Sequence, residues 1–206
     1  MIDPALAWLD ALCELGFRVT FAHRVAPREL LTRLGADPLT FRRRDAAAAE
    51  VGGPGAYLDR AGFWHGAIGV ASCWYGGAAG LAARLRASAS RGKLDAHGMA
   101  HLGAVDSVLH AARCALRHAA GEIYSGALAD TESAHARALQ VRSIVESAAR
   151  ETLDRVGRAL GPGPLAKDEE HAKRVADLTV YIRQSHAERD LAELGALRGT
   201  DDRGLL

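Results

Sequence analysis

From about residue 57 the apolar positions of the chain recur every three or four residues, the spacing that lines one face of an α-helix. Four such stripes can be traced. The first runs roughly from Phe63 to Ser88 and contains Gly66, Gly69, Gly76, Gly77 and Gly80. Each glycine lowers helix propensity by about 1 kcal/mol against alanine, so its use there fits helices whose backbones approach closely. The second opens at Asp95, a good N-cap residue, and carries Leu102, Val105, Leu109, Ala112, Leu116, Ala119 and Ile123. The third opens near Asp130 or Thr131, carries Val141, Val145, Ala148, Thr152, Val156 and Leu160, and stops at Gly161-Pro162-Gly163-Pro164. The fourth starts near Asp168, with Glu169 and Glu170 placed favourably for the helix dipole, and turns Ala172, Val175, Thr179 and Ile182 inward. Amphipathic helices with short connections predict an all-α protein, an antiparallel four-helix bundle over residues 57–195.

The first 45 residues carry a different pattern. Leu6, Leu9, Leu12 and Cys13 keep helical spacing until Gly16, whereas Phe17, Val19 and Phe21 alternate with Arg18, Thr20 and Ala22 as a short strand does. Pro27 suits the first turn of a helix that Gly35 ends. Residues 1–45 are therefore expected to form a small α+β appendage. Residues 46–56, alanines followed by Gly52-Gly53-Pro54-Gly55, form a linker, and residues 196–206 a loose tail marked by Gly195 and Gly199.

Composition agrees with a packed core: 49% of the 206 residues are hydrophobic and 25% charged. Net charge is +1, which gives no basic excess for nucleic acid. Arg42, Arg43 and Arg44 lack interleaved aromatics, and a solvated boundary explains them better than phosphate binding. Cys13, Cys73 and Cys114 are far apart and show no ligand spacing, which points to free thiols and a cytoplasmic protein. The start, Met-Ile-Asp-Pro, lacks a signal pattern. No Asp, Glu, Lys or Arg falls between Arg60 and Arg84, a length that could span a bilayer. The glycines there, with His65 and Ser72, partition weakly into lipid, so a buried core helix is expected and no membrane association.

Few residues suggest chemistry unaided. His97 and His101 stand one turn apart, but no third ligand supports a metal, and surface histidines explain them better. Gly52-Gly53-Pro54-Gly55 lacks the Gly-Lys-Ser/Thr ending of a P-loop. Trp64, Trp74 and Tyr75 read as core or interface anchors rather than a binding cage. Arg183, His186, Glu188, Arg189 and Asp190 form a charged cluster near the end of the fourth stripe. It is either a solvated, salt-bridged helix end or a site at the rim where an acid or base meets a substrate.

Three stretches resemble the C-terminal domain of the acyl-CoA dehydrogenase family. Residues 51–66, Val-Gly-Gly-Pro-Gly-Ala-Tyr-Leu-Asp-Arg-Ala-Gly-Phe-Trp-His-Gly, are similar to the junction between its middle β-domain and its first C-terminal helix. Residues 157–163, Gly-Arg-Ala-Leu-Gly-Pro-Gly, occupy the place of its Gln-x-x-Gly-Gly-x-Gly turn. Residues 171–186, from His171 to His186, are similar to its last helix, which runs toward the acyl-CoA. The residues before Val51 resemble neither the N-terminal helical domain nor the middle β-domain of the family. Arg158 stands where the turn has glutamine, Pro162 where it has a glycine, and Ser185-His186 where the last helix has its catalytic glutamate.

The resemblance implies an FAD-dependent oxidoreductase acting on acyl-CoA thioesters. A carboxylate would take the proton α to the thioester carbonyl while the β-hydride leaves for the flavin, which carries the hard step. It assigns Glu188, then His186, to the catalytic place. Arg158, Gly161, Gly163, Arg174 and Arg183 would face FAD. It also implies a homo-oligomer or assembly with a fuller family member, with the lone chain incomplete. The rival expectation is a non-catalytic helical bundle that serves oligomerisation or binds a partner.

Overall fold

The computed structural model describes residues 59–199, and within them every regular element is helical. Three helices of 30 residues dominate: α1 (Ala61–Ser90), α2 (Ala96–Ser125) and α3 (Thr131–Leu160). At 1.5 Å per residue each is roughly 45 Å long. A single turn, α4 (Gly163–Lys167), leads to α5 (Glu169–Tyr181). A 3-10 turn (Ile182–Gln184) and then α6 (Glu188–Gly199) complete the described chain. The expected appendage over residues 1–45, the linker and the end of the tail lie outside the described residues.

Local chemistry explains three of the helix starts. Asp95, Asp130 and Asp168 precede α2, α3 and α5 with extended backbone, and their carboxylates accept from the amides of Gly98 (2.7 Å), Ser133 (2.8 Å) and His171 (3.1 Å). Each satisfies an amide that the first turn leaves without a partner. At the far end of α2, Gly126 takes a left-handed conformation (φ 81°), and its amide reaches back to the carbonyls of Glu122 and Ile123. Gly161 (φ 66°) similarly closes α3.

The core lies where α1, α2 and α3 meet. Ile68, Ala71, Trp74, Ala78, Leu81 and Leu85 face it from α1, and Val105, Leu109, Ala112, Leu116 and Ala119 from α2. Val141, Val145, Ala148, Ala149 and Val156 complete it from α3. α5 lies on α1 and α3, and contributes Leu178. Its approach to α1 is close: a Cβ placed on Gly77 would sit 2.8 Å from Leu178 Cδ1. This glycine makes room for a side chain, not for the close backbone approach its position suggested. Gly62 and Gly66 do not, since a Cβ on either would meet nothing within 4 Å.

Two expectations for the fourth stripe need correction. It is not one helix to residue 195, because the α-helix ends at Tyr181 and resumes at Glu188. Its inward positions are Leu178 and Ile182, whereas Thr179 is exposed and bonds the carbonyl of Val175 at 2.7 Å. Gly195 does not begin a tail either. It sits inside α6, with open space where a side chain would be, and the helix continues to Gly199.

Packing sets the scale of two substitutions. Leu116 is fully buried, so Leu116→Ala should destabilise by about 2–5 kcal/mol in denaturant unfolding. Val180 is 70% exposed on α5, so Val180→Ala should stay within about 0.5 kcal/mol. Equal effects at both positions would contradict this placement of the core.

Candidate functional site

Among the described residues the interior holds few polar side chains, and some are locally satisfied. Ser72 and Thr152 bond carbonyls one turn back, of Ile68 (3.2 Å) and Ala148 (2.7 Å). Arg142 is different. It sits midway along α3 and is only 9% exposed. Its guanidinium reaches the carbonyls of Gln184 (3.0 Å) in the 3-10 turn and Ala67 (3.5 Å) in α1. It lies 4.7 Å from the Trp74 ring centroid, a cation–π placement, and Nε is 3.8 Å from Asp190 Oδ2 on α6. Burial lowers the pKa of Arg142, while the Asp190 carboxylate opposes that shift. The group remains a cation, because guanidinium starts so far above neutrality.

Asp190 also holds His186. The His186 amide donates to Oδ2 at 3.4 Å, and His186 Nδ1 stands 3.1 Å from Oδ1. Between them Ala187 has φ 47°, a left-handed conformation that costs a residue with a Cβ roughly 1–2 kcal/mol. The Tyr181 ring stands edge-on to Trp74 at 6.4 Å. Burial, reinforced by the neighbouring Cys73 thiol, pushes the Tyr181 hydroxyl up to about 12. Burial likewise raises the Cys73 thiol, which the Tyr181 hydroxyl partly offsets by donating to it. Both stay protonated at neutral pH. This end of the molecule also holds Trp64, stacked on His135 at 3.7 Å, with His135 Nε2 3.2 Å from Glu193 but not aligned for a hydrogen bond.

A second polar cluster surrounds the start of α5. Arg84 pairs with Asp168 at 2.7 Å, and Arg174 pairs with Glu170. His171 is buried there, and its Nδ1 has no hydrogen-bond partner. Burial first, then the cation of Arg84, lowers the pKa of His171. Asp168 is held below the usual carboxylate range mainly by the His171 amide that it caps. A third feature is an open groove of about 350 Å³ between α2, α3 and α6, with His118, Arg137, Gln140, Ile144 and Leu194 on its walls. Arg137 is held there by Glu122 (2.7 Å) and Gln140 (2.9 Å).

The residues singled out in the sequence fall at the two ends of α5. Arg158 is exposed at the end of α3 and paired with Asp154 at 2.9 Å. Gly161 caps that helix, Gly163 begins α4, and Arg174 lies on the first half of α5. Arg183, His186 and Glu188 lie beyond the other end, past a helix of 13 residues, roughly 20 Å away. Arg183 and Glu188 are exposed, and His186 joins the Asp190 network. His97 is exposed and His101 half-buried on α2, and no group of three metal-ligating side chains occurs among the described residues. Trp74 is core, as is one face of Trp64. No helix of the described residues is long and apolar enough to cross a membrane.

Arg142 is the residue that sequence reading missed. The signal was available: Arg142 falls four residues after Ala138 and three before Val145, on the apolar stripe itself, where an exposed arginine has no place. Comparison with models of protein families, with curated proteins and with solved structures finds no match for this chain.

Two outcomes test this electrostatic picture. Arg142→Ala leaves the Asp190 carboxylate buried without its cation and should destabilise by about 3–5 kcal/mol. The double variant Arg142→Met with Asp190→Leu should recover most of that loss, and no recovery would mean that the pair is not the cause. The second outcome concerns pH. His171 has a lowered pKa in the folded chain, so the unfolded chain binds its proton first. Stability from this residue is complete above 6.5 and falls as pH drops through the folded pKa. NMR should show His171 titrating below 6.5, and His171→Gln should flatten the stability profile just under that pH.

Proposed function

We propose that the chain is an acyl-CoA dehydrogenase-like module of the FAD-dependent oxidoreductase class, incomplete by itself. In this reading the helices form an antiparallel four-helix bundle in which α5 takes the fourth position. The single observation that carries the reading is placement. The Arg158–Gly163 turn opens toward solvent at one end of α5, and Arg183, His186 and Glu188 gather at the other. A dinucleotide is an extended ligand whose phosphates and ring are gripped at separate points. Arg158, Gly161, Gly163 and Arg174 would meet the phosphates, with Arg183 nearer the ring. Arg158 and Arg174 are engaged in i,i+4 pairs at the surface, which are weak enough to yield to a phosphate. Glu188, at the exposed start of α6, would take the α-proton of an acyl-CoA thioester, and His186 is the alternative base.

A flavin needs its ring enclosed and its pyrophosphate held by several donors. One wall of exposed residues supplies neither enclosure nor dry surroundings, so the module would work with a second copy or a fuller relative that closes the pocket.

A second reading, a non-catalytic bundle that serves assembly, draws on a different observation. Ile144, on the wall of the α2–α3–α6 groove, is 43% exposed and Leu191 on α6 is 50% exposed, which leaves apolar surface outside.

Flavin titration of the full chain, alone and with a relative that carries the missing domains, separates the two. The lone chain should hold no stoichiometric FAD, and the mixture should. In that mixture Glu188→Gln should abolish acyl-CoA-dependent flavin bleaching without releasing flavin. Tight FAD in the lone chain would overturn the claim of incompleteness. Failure of the mixture to bind FAD, with sedimentation of the lone chain heavier than 21.8 kDa, would favour the assembly reading.

A further inference from the structure

α6 is held unlike the longer helices. Each of α1, α2 and α3 buries a row of apolar side chains, whereas the one buried residue of α6 is a carboxylate, Asp190. Leu191 is half exposed, and Leu194 and Leu197 are only partly covered. An ion pair and a polar contact join α6 to α3: Asp190 with Arg142 at 3.8 Å, and Glu193 beside His135 at 3.2 Å. The chain before α6 is firmly placed, since Ile182 is buried and Arg142 binds the carbonyl of Gln184. Between these two regions lie Ser185, which is extended (ψ 132°), and Ala187 in its left-handed conformation.

We propose that residues 188–199 form a strap, hinged at residues 185–187 and pinned by Asp190, that swings off α3 and uncovers the guanidinium of Arg142. Three features of the site converge on this. Without a buried apolar side chain, leaving α3 costs α6 little hydrophobic burial. Leaving also lets Ala187 relax to an ordinary backbone conformation. The carboxylate of Asp190 regains water, which offsets much of what Arg142 supplied. The groups facing Asp190 are Arg142 from α3 and His186 from the hinge, and those facing Glu193 include His135 from α3. His186 is bonded to Asp190 and travels with it. Arg142 does not travel: the Gln184 and Ala67 carbonyls and the Trp74 face keep it seated, as a cation that has lost its carboxylate. The open form thus presents a pre-positioned fork for an anion, and the closed form fills that place with Asp190. This holds whether or not the chain binds a flavin.

Hydrogen exchange of the full chain, read by mass spectrometry at neutral pH, tests the strap. In the wild type the amides of residues 189–197 should exchange together, at least about tenfold faster than those of residues 141–156. Asp190→Asn should speed the strap about tenfold further and leave residues 141–156 unchanged. Exchange of the strap at the same rate as α3, or graded inward from Gly199 as fraying produces, would overturn the proposal. So would an Asp190→Asn variant that loosens strap and α3 alike. If that variant fails to fold, the wild-type pattern decides alone.

Discussion

A guanidinium buried midway along α3 constrains how the rest of the described chain is arranged. Arg142 carries donors in several directions, and removing them from water is tolerable only if each finds an acceptor. Its partners come from separate segments: the carbonyls of Ala67 on α1 and Gln184 in the 3-10 turn accept from it, the Asp190 carboxylate on α6 pairs with it at 3.8 Å, and the Trp74 face lies beneath. Lysine could not serve, because a single ammonium lacks a planar fork that reaches three ways and stacks on an indole. The pair with Asp190 adds little net stability over an apolar pair of the same size, since both charges lose their hydration. Its larger effect is geometric: other registers of α1, α3 and α6 would leave the charge without partners.

The break in the fourth stripe follows from the same demand. A helix continuing past Tyr181 would commit the Gln184 carbonyl to the amide four residues on. The guanidinium takes that carbonyl instead. The backbone then turns through extended Ser185 and left-handed Ala187, and α6 restarts with Asp190 in its first turn, facing both Arg142 and the His186 amide. The left-handed conformation at an alanine is a cost that its surroundings impose.

This explains which parts of the molecule could be read in the sequence. The helix boundaries at Asp95, Asp130, Asp168 and Gly161 were legible because caps act locally, within a single turn of their own residue. The stripes of α2 and α3 were legible because 3.6-residue periodicity is a property of one helix at a time. The interruption at 182–187 was not, because no glycine or proline marks it and its cause lies some forty residues back, in Arg142. Thr179 misled for a different reason: it shares the spacing of Val175 and Ile182, which do pack inward, but its neighbour Leu178 takes the inward place on that turn. In the site, the cluster of His186, Glu188 and Asp190 could be recognised as titratable. That Asp190 faces inward could not, since nothing nearby distinguishes it from its exposed neighbours Glu188 and Arg189. An α+β reading of residues 1–45 stays an expectation, outside the described residues.

The charged groups divide into two kinds, and the division bears on function. Arg158 and Arg174 each pair with an acid one turn back on the same helix, at the surface. Such pairs are worth a fraction of a kcal/mol, so an arriving phosphate replaces them almost without loss. Arg142 and Asp190 are committed inward, and replacing either partner disturbs several segments at once. Ligand capture at the first pair therefore requires no rearrangement, but provides few contacts and little shelter. At the second, capture would require α6 to move, and would then offer a desolvated cation in a fixed place. Under the proposed function, such an arrangement would gain binding strength by one of two routes: a neighbouring surface closes over the exposed arginines, or α6 opens. The second route passes through α6, whose first turn carries both Glu188 and Asp190. Any motion that frees Arg142 also shifts the carboxylate that the acyl-CoA dehydrogenase-like reading makes the base.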